Sequence, residues 1–306
     1  MAHKNSAKKH NLKMQITNTL KGMIAFGRSR GSDKKAEKDQ GLESGSITHK
    51  YIYSRQSYTT YKQQLHLYAD YLHSAHPDVK TLKAARQYCD EYLTKLIEQL
   101  YSPYTLALIV SAFTKLYQDS HSEYRDIPAR NRVNITRSRN RVVRDIGFSE
   151  EKNADLVSFC RSTGLRRSEL QHLRGNMLRI DEHGDVWIDF LGNDARYTKG
   201  GRPRSVKVYG DTELVKKLCK NAGDGLVFGS VLNVHGDYHK FRSEYACQVY
   251  RAEARDISSL SSKELYRCRG NMAGHVYDRR ALAVVAQMLG HNRTEIFPSY
   301  YAYSML

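Results

Sequence analysis

Acidic residues are in short supply. The 306 residues carry 32 Asp+Glu against 49 Lys+Arg, a formal net charge of +17 at pH 7. A deficit that large argues against an acidic partner and for a polyanion, DNA or RNA first. Cysteine is also sparse. Cys89, Cys160, Cys219, Cys247 and Cys268 are odd in number and form no C-x-x-C pair. That excludes a disulfide framework and a zinc knuckle, and it predicts a reducing, cytoplasmic setting. No apolar run approaches the ~20 residues that span a bilayer, so no membrane partner is expected. The opening M-A-H-K-N-S-A-K-K-H lacks the apolar stretch of a signal peptide. G-x-S-x-G, P-loop and G-x-G-x-x-G patterns are missing, which leaves hydrolase and nucleotide-fuelled readings unsupported. His235 and His239 have metal-ligand spacing, but Gly236 and Asp237 between them favour a turn. No cofactor or metal is expected.

The chain then divides by composition. Residues 1–50 are basic, with a short helical stretch at 14–26 and a Gly/Ser/charge-rich run after it, and read as a partly disordered arm. Residues 51–120 hold three amphipathic segments. Tyr58, Tyr61, Leu65, Tyr68 and Leu72 share one helical face, Leu82 to Leu96 suggest a second helix, and Tyr104 to Tyr117 a third. The aromatic stripe reads as core rather than as a base-stacking platform. Residues 121–148 concentrate arginine at 125, 130, 132, 137, 139, 141 and 144, a linker suited to phosphate contacts. A second domain, 149–306, starts at Ser149. Within it the stretch 177–191 alternates around a turn at 182–185, a hairpin. A further strand pair is expected at 195–198 and 205–208, joined by Lys199-Gly200-Gly201-Arg202-Pro203.

Three stretches carry chemistry. T-G-L-R-R-S-E-L places an arginine at 166, and T-K-G-G-R-P-R places a lysine at 199. The stretch from Tyr266 holds Arg269, then Leu289-Gly290-His291, then Tyr300 nine residues past that histidine. In this order they resemble the tyrosine recombinase (phage integrase) family, whose terminal pattern is H-x-x-R, L-G-H and a nucleophilic tyrosine. The resemblance covers roughly Ser149 to Tyr303. It implies a mainly α protein with a small antiparallel β-sheet: a helical N-terminal core-binding domain that clamps duplex DNA, and a mixed α+β catalytic domain.

A DNA phosphodiester resists attack because its anionic oxygens repel nucleophiles. Two guanidinium groups, assigned by the resemblance to Arg166 and Arg269, would grip the non-bridging oxygens. Lys199 would protonate the leaving 5′ oxygen. Tyr300 would attack and hold the DNA as a 3′-phosphotyrosine, with Tyr301 the alternative one position on. His291 completes the set. Tyr266 stands where the family has histidine, and its hydroxyl can donate to a phosphate oxygen but cannot act as an imidazole. The implied protein is the integrase of a mobile element or prophage. It would act on double-stranded attachment sites, assemble as a tetramer on DNA and work with accessory DNA-bending or excision factors. A DNA-binding regulator that has lost catalysis and a type IB topoisomerase are the alternatives.

Overall fold

Two separate apolar clusters form, and the chain divides accordingly into two compact units, Met1–Arg132 and Val133–Leu306. The computed structural model describes residues 11–130, 147–229, 232–291, 293, 294 and 297. Tyr300 and Tyr301 lie outside the described residues, as do the arginines at 132, 137, 139, 141 and 144. No helix among the described residues is long and apolar enough to cross a membrane.

The first unit is helical, and polar caps start five of its six α-helices among the described residues. Asn11, Ser29, Ser54, Thr81 and Ser102 each accept a backbone N–H at the start of α1 (Leu12–Gly22), α2 (Arg30–Asp39), α3 (Arg55–Ala75), α4 (Leu82–Ala85) and α6 (Pro103–Tyr117). Between the last two lies α5 (Cys89–Glu98). Leu65, Tyr68, Ala69 and Leu72 of α3 are buried, and Tyr68 meets Phe113 edge-on at 4.9 Å. The tyrosine stripe is therefore core.

The arm, expected to be partly disordered around a short helix at 14–26, carries α1 and α2 among its described residues. Leu12, Ile16 and Leu20 recur every four residues and are buried against the same cluster. Asp33 and Glu37 of α2 turn inward. Glu37 accepts N–H groups from Thr48 at 2.6 Å, Ile47 at 2.7 Å and Gly45 at 3.2 Å, and these backbone bonds hold its carboxyl down at about 2. Lys115 donates to the carbonyls of Thr48, His49 and Tyr51. Residues 28–53 are thus tied down by buried charge, which a composition reading registers only as polarity. At the start of the Arg-rich segment Tyr124 is buried, and the Arg125 N–H donates to Asp90 at 2.9 Å.

The second unit begins with α7 (Ala154–Thr163), which stops at Gly164 with φ 56°. Tyr245 lies only 2.3 Å from where a Cβ at 164 would sit, so both conformation and space require glycine. A short α8 (Arg167–Leu170) follows. Strands β1 (Leu178–Ile180), β2 (Val186–Phe190) and β3 (Arg204–Lys207) pair antiparallel in that order, with Leu178 opposite Ile188 and Ile188 opposite Val206. The hairpin around 182–185 is as expected. The strand expected at 195–198 is instead part of a 3-10 turn, Gly192–Tyr197, so β3 pairs with β2 directly. Beyond α9 (Thr212–Ala222) comes α10 (Tyr238–Glu253), whose buried face packs on α7 and on α11 (Arg279–Met288). Between α10 and α11 a second hairpin projects, β4 (Leu265–Arg267) with β5 (Val276–Asp278). Arg255 anchors its base through both oxygens of buried Asp278, at 2.9 Å each.

Candidate active site

The L-G-H stretch has a local physical cause. Helix α11 ends at Met288, Leu289 caps it, and Gly290 follows with φ 64°. The Gly290 N–H donates to the Gln287 carbonyl and the His291 N–H to the Ala286 carbonyl, both at 2.8 Å. This is the Schellman pattern, in which a left-handed glycine reverses the chain and satisfies two of the last carbonyls. The remaining ones, of Met288 and Leu289, point outward at the negative end of the helix.

Three arginines from three elements take them. Arg204, the first residue of β3, donates Nη2 to the Met288 carbonyl at 2.7 Å. Arg166, at the entry to α8, donates Nη2 to the Leu289 carbonyl at 3.0 Å. Arg242, inside α10, donates Nη2 to that same Leu289 carbonyl and Nη1 to the Gly164 carbonyl. One carboxylate sits among them. Glu169 is fully buried, bonded to Arg166 Nη1 at 2.8 Å and to Arg204 Nη1 at 3.0 and 3.2 Å. It also accepts the Arg166 N–H at 2.7 Å. Burial would raise its pKa, but Arg204, Arg242 and Arg166 together push it below the usual carboxylate range. Burial pushes Arg204 the other way, down to about 10, still protonated at neutral pH.

A cavity of about 580 Å³ opens over this cluster. Arg166, Lys199, Arg202, Arg204 and His291 line it, and among the described residues no carboxylate does. Lys199 is exposed on a turn whose two glycines have φ 81° and 67°, closed by a 2.7 Å bond from the Thr198 hydroxyl to the Arg202 carbonyl. His291 is held down to about 4 by burial first, then by Arg242, Arg166, Lys199 and Arg204. Its imidazole is neutral near pH 7. The result is a half-open excess of positive charge beside a neutral imidazole, an arrangement suited to an anion.

Of the residues read from sequence, the structure brings Arg166, Lys199 and His291 to one cavity. Arg269 and Tyr266 are not among its lining residues. Tyr266 lies on β4 opposite Tyr277, and Arg269 is exposed just past that strand. Sequence reasoning overlooked Arg242, although His239-Lys240-Phe241-Arg242 is itself an H-x-x-R. On α10 the two residues are one turn apart, with His239 exposed and Arg242 buried. Glu169 and Arg204 were also overlooked, since a lone acid and a lone strand arginine carry no sequence signal.

No family model and no curated protein matches the chain. Among solved structures, it is similar to the Tn1549 transposon integrase in complex with transposon right-end DNA. That match has a TM-score of 0.45 and 11% identity and covers 94% of each chain. The same integrase with circular intermediate DNA gives 0.44 and 11%, again over 94% of each chain. XerA recombinase gives 0.30 and 17%, over 81% of this chain and 88% of that one.

Proposed function

We propose that the protein is a site-specific DNA strand transferase of the tyrosine recombinase type, an integrase of a mobile element or prophage acting in the cytoplasm. The observation that carries this reading is the cavity itself: among the described residues, four cationic side chains and a neutral histidine line it and no carboxylate does. Arg166 and Arg242 are the pair that would hold the non-bridging oxygens of a scissile phosphate; Arg242 is not itself a lining residue, but it shares the Leu289 carbonyl with Arg166, and it takes the place that the sequence pattern suggested for Arg269. His239 stands in the histidine position ahead of it, which relieves Tyr266 of that role. The Tyr300 phenol oxygen attacks phosphorus, the P–O5′ bond breaks, and Lys199 gives its proton to the leaving 5′ oxygen. Neutral His291 can receive the phenol proton once the bound phosphodiester offsets the Arg242, Arg166, Lys199 and Arg204 charges that help to hold its pKa down. The covalent 3′-phosphotyrosine conserves the bond for rejoining, so no ATP or metal is called for. Assembly as a tetramer on attachment sites, with accessory factors, belongs to the same proposal.

The test lets the protein choose its own target sequence. Fragmented chromosomal DNA of the source organism is incubated with the protein, covalent complexes are precipitated with detergent and potassium, and the attached ends are sequenced. Adducts concentrated at one or a few sequences, and lost in Tyr300→Phe, support the reading. Adducts scattered without sequence preference indicate a topoisomerase. Tight binding with no adduct indicates a DNA-binding protein without catalysis.

A further inference from the structure

Arg204 has no part in the reaction just described, yet it is a buried cation that lines the cavity. Its side chain is 5% exposed. Nη1 spans both oxygens of Glu169, and Nη2 holds the Met288 carbonyl. Its Nε is buried with no hydrogen-bond partner among the described residues. The α-carbon of Gly290 packs over this part of the side chain: a Cβ there would come 3.3 Å from Arg204 Cδ and 3.6 Å from Nε. A buried donor left unmade is costly, so the placement is fixed by the other two bonds and by the glycine contact. Arg204 also opens β3 five residues after Lys199, at the foot of the lysine turn.

We propose that Arg204 is a positioning residue for the strand-transfer reaction: one planar fork that locks Glu169, the end of α11 and the base of the Lys199 turn together, so that Arg166 and His291 face one phosphate. The proposal rests on the recombinase reading above. Arg166 depends on it because Glu169 is shared between the two guanidiniums. His291 depends on it because the Met288 carbonyl lies three residues before it, in the turn that aims the imidazole. Lysine keeps the charge but has a single nitrogen, which cannot serve a carboxylate and a carbonyl in fork geometry.

The test compares the full-length parent, Arg204→Lys, and the double variant Arg204→Met/Glu169→Gln. The double variant removes the buried charges together and so avoids stranding one of them. Three quantities are read: single-turnover adduct formation on a nicked duplex carrying the recovered cleavage site, affinity for the same duplex, and the His291 titration by NMR, assigned with His291→Gln. Both variants should form adduct at least about tenfold more slowly, since a ~1 Å misplacement can cost up to a hundredfold. DNA affinity should stay within about threefold, as most phosphate contacts remain. The His291 midpoint should rise by a unit or more as the end of α11 loosens and admits water. Adduct formation within twofold of the parent in either folded variant, or an unmoved His291 titration, overturns the proposal. Should the parent itself form no adduct, the recombinase reading fails, and the His291 titration alone still decides whether Arg204 positions it.

Discussion

Arg242 and Arg269 are two candidates for one task, and the physical difference between them is where their charge sits. Arg242 is buried beside Arg166 and above Gly164, while Arg269 is exposed beyond β4. Arg242→Ala should therefore slow adduct formation by about two to three orders of magnitude, the scale of losing one transition-state donor. Arg269→Ala should leave it within about twofold of the parent, and Tyr266→Phe should match the parent from pH 6 to 8.5, both measured by single-turnover cleavage. The H-K-F-R motif was legible in the sequence. The β4–β5 hairpin lies between it and His291 in the chain, while the packing of α10 on α11 brings Arg242 to the Leu289 carbonyl. Linear spacing records the hairpin, whereas helix packing does not. His291 adds a prediction about stability. Its folded pKa, about 4, lies below its ordinary value of 6.5. Between those values the unfolded chain binds the proton and the folded one does not, so stability rises with pH across that window. This contribution is full above 6.5 and fades as pH falls toward 4. Urea denaturation of His291→Gln should show a shallower loss of stability over that interval than the parent.

Glycines at helix ends decide where two of the site's elements point. Gly164 ends α7 so that Leu165 enters the core and Arg166 meets Glu169, and Gly290 ends α11 so that His291 meets the cavity. Gly164→Ala combines a left-handed residue with a 2.3 Å approach to Tyr245. It should destabilise by about 2–4 kcal/mol, strain and overpacking together, measured as a shifted denaturation midpoint. The first-unit helices were readable because tyrosine and leucine repeat at helical spacing there. Helix α1 was only partly readable, since its three buried residues are separated by lysine, threonine and asparagine. Deleting residues 1–22 removes three buried aliphatic side chains, each contributing roughly 1.5–3 kcal/mol, so the truncated protein should lose the cooperative unfolding of its first unit in calorimetry. A deletion through residue 50 would remove structure along with charge, and any weakened DNA binding would then report unfolding.

Two units with separate cores provide an internal control for the anion site. Trp187, the one tryptophan of the chain, lines the cavity, so its fluorescence reports on the second unit alone. Sulfate strengthens apolar burial in any folded protein, and at constant ionic strength that general effect should raise both unfolding transitions. Anion binding adds a term for the folded second unit only, about 2.7 kcal/mol when sulfate reaches a hundred times its dissociation constant. The transition followed by Trp187 should therefore rise further in sodium sulfate than the first unit's transition, with chloride adjusted to hold ionic strength fixed. In Arg166→Ala, which removes one cation from the cavity, the difference between the two shifts should shrink while the common shift remains. Equal shifts of both units in the parent would mean that the cluster around Glu169 only holds the helix end together. In that case the positive charge of the cavity is structural, and the phosphate must be sought elsewhere on a chain whose net charge is +17.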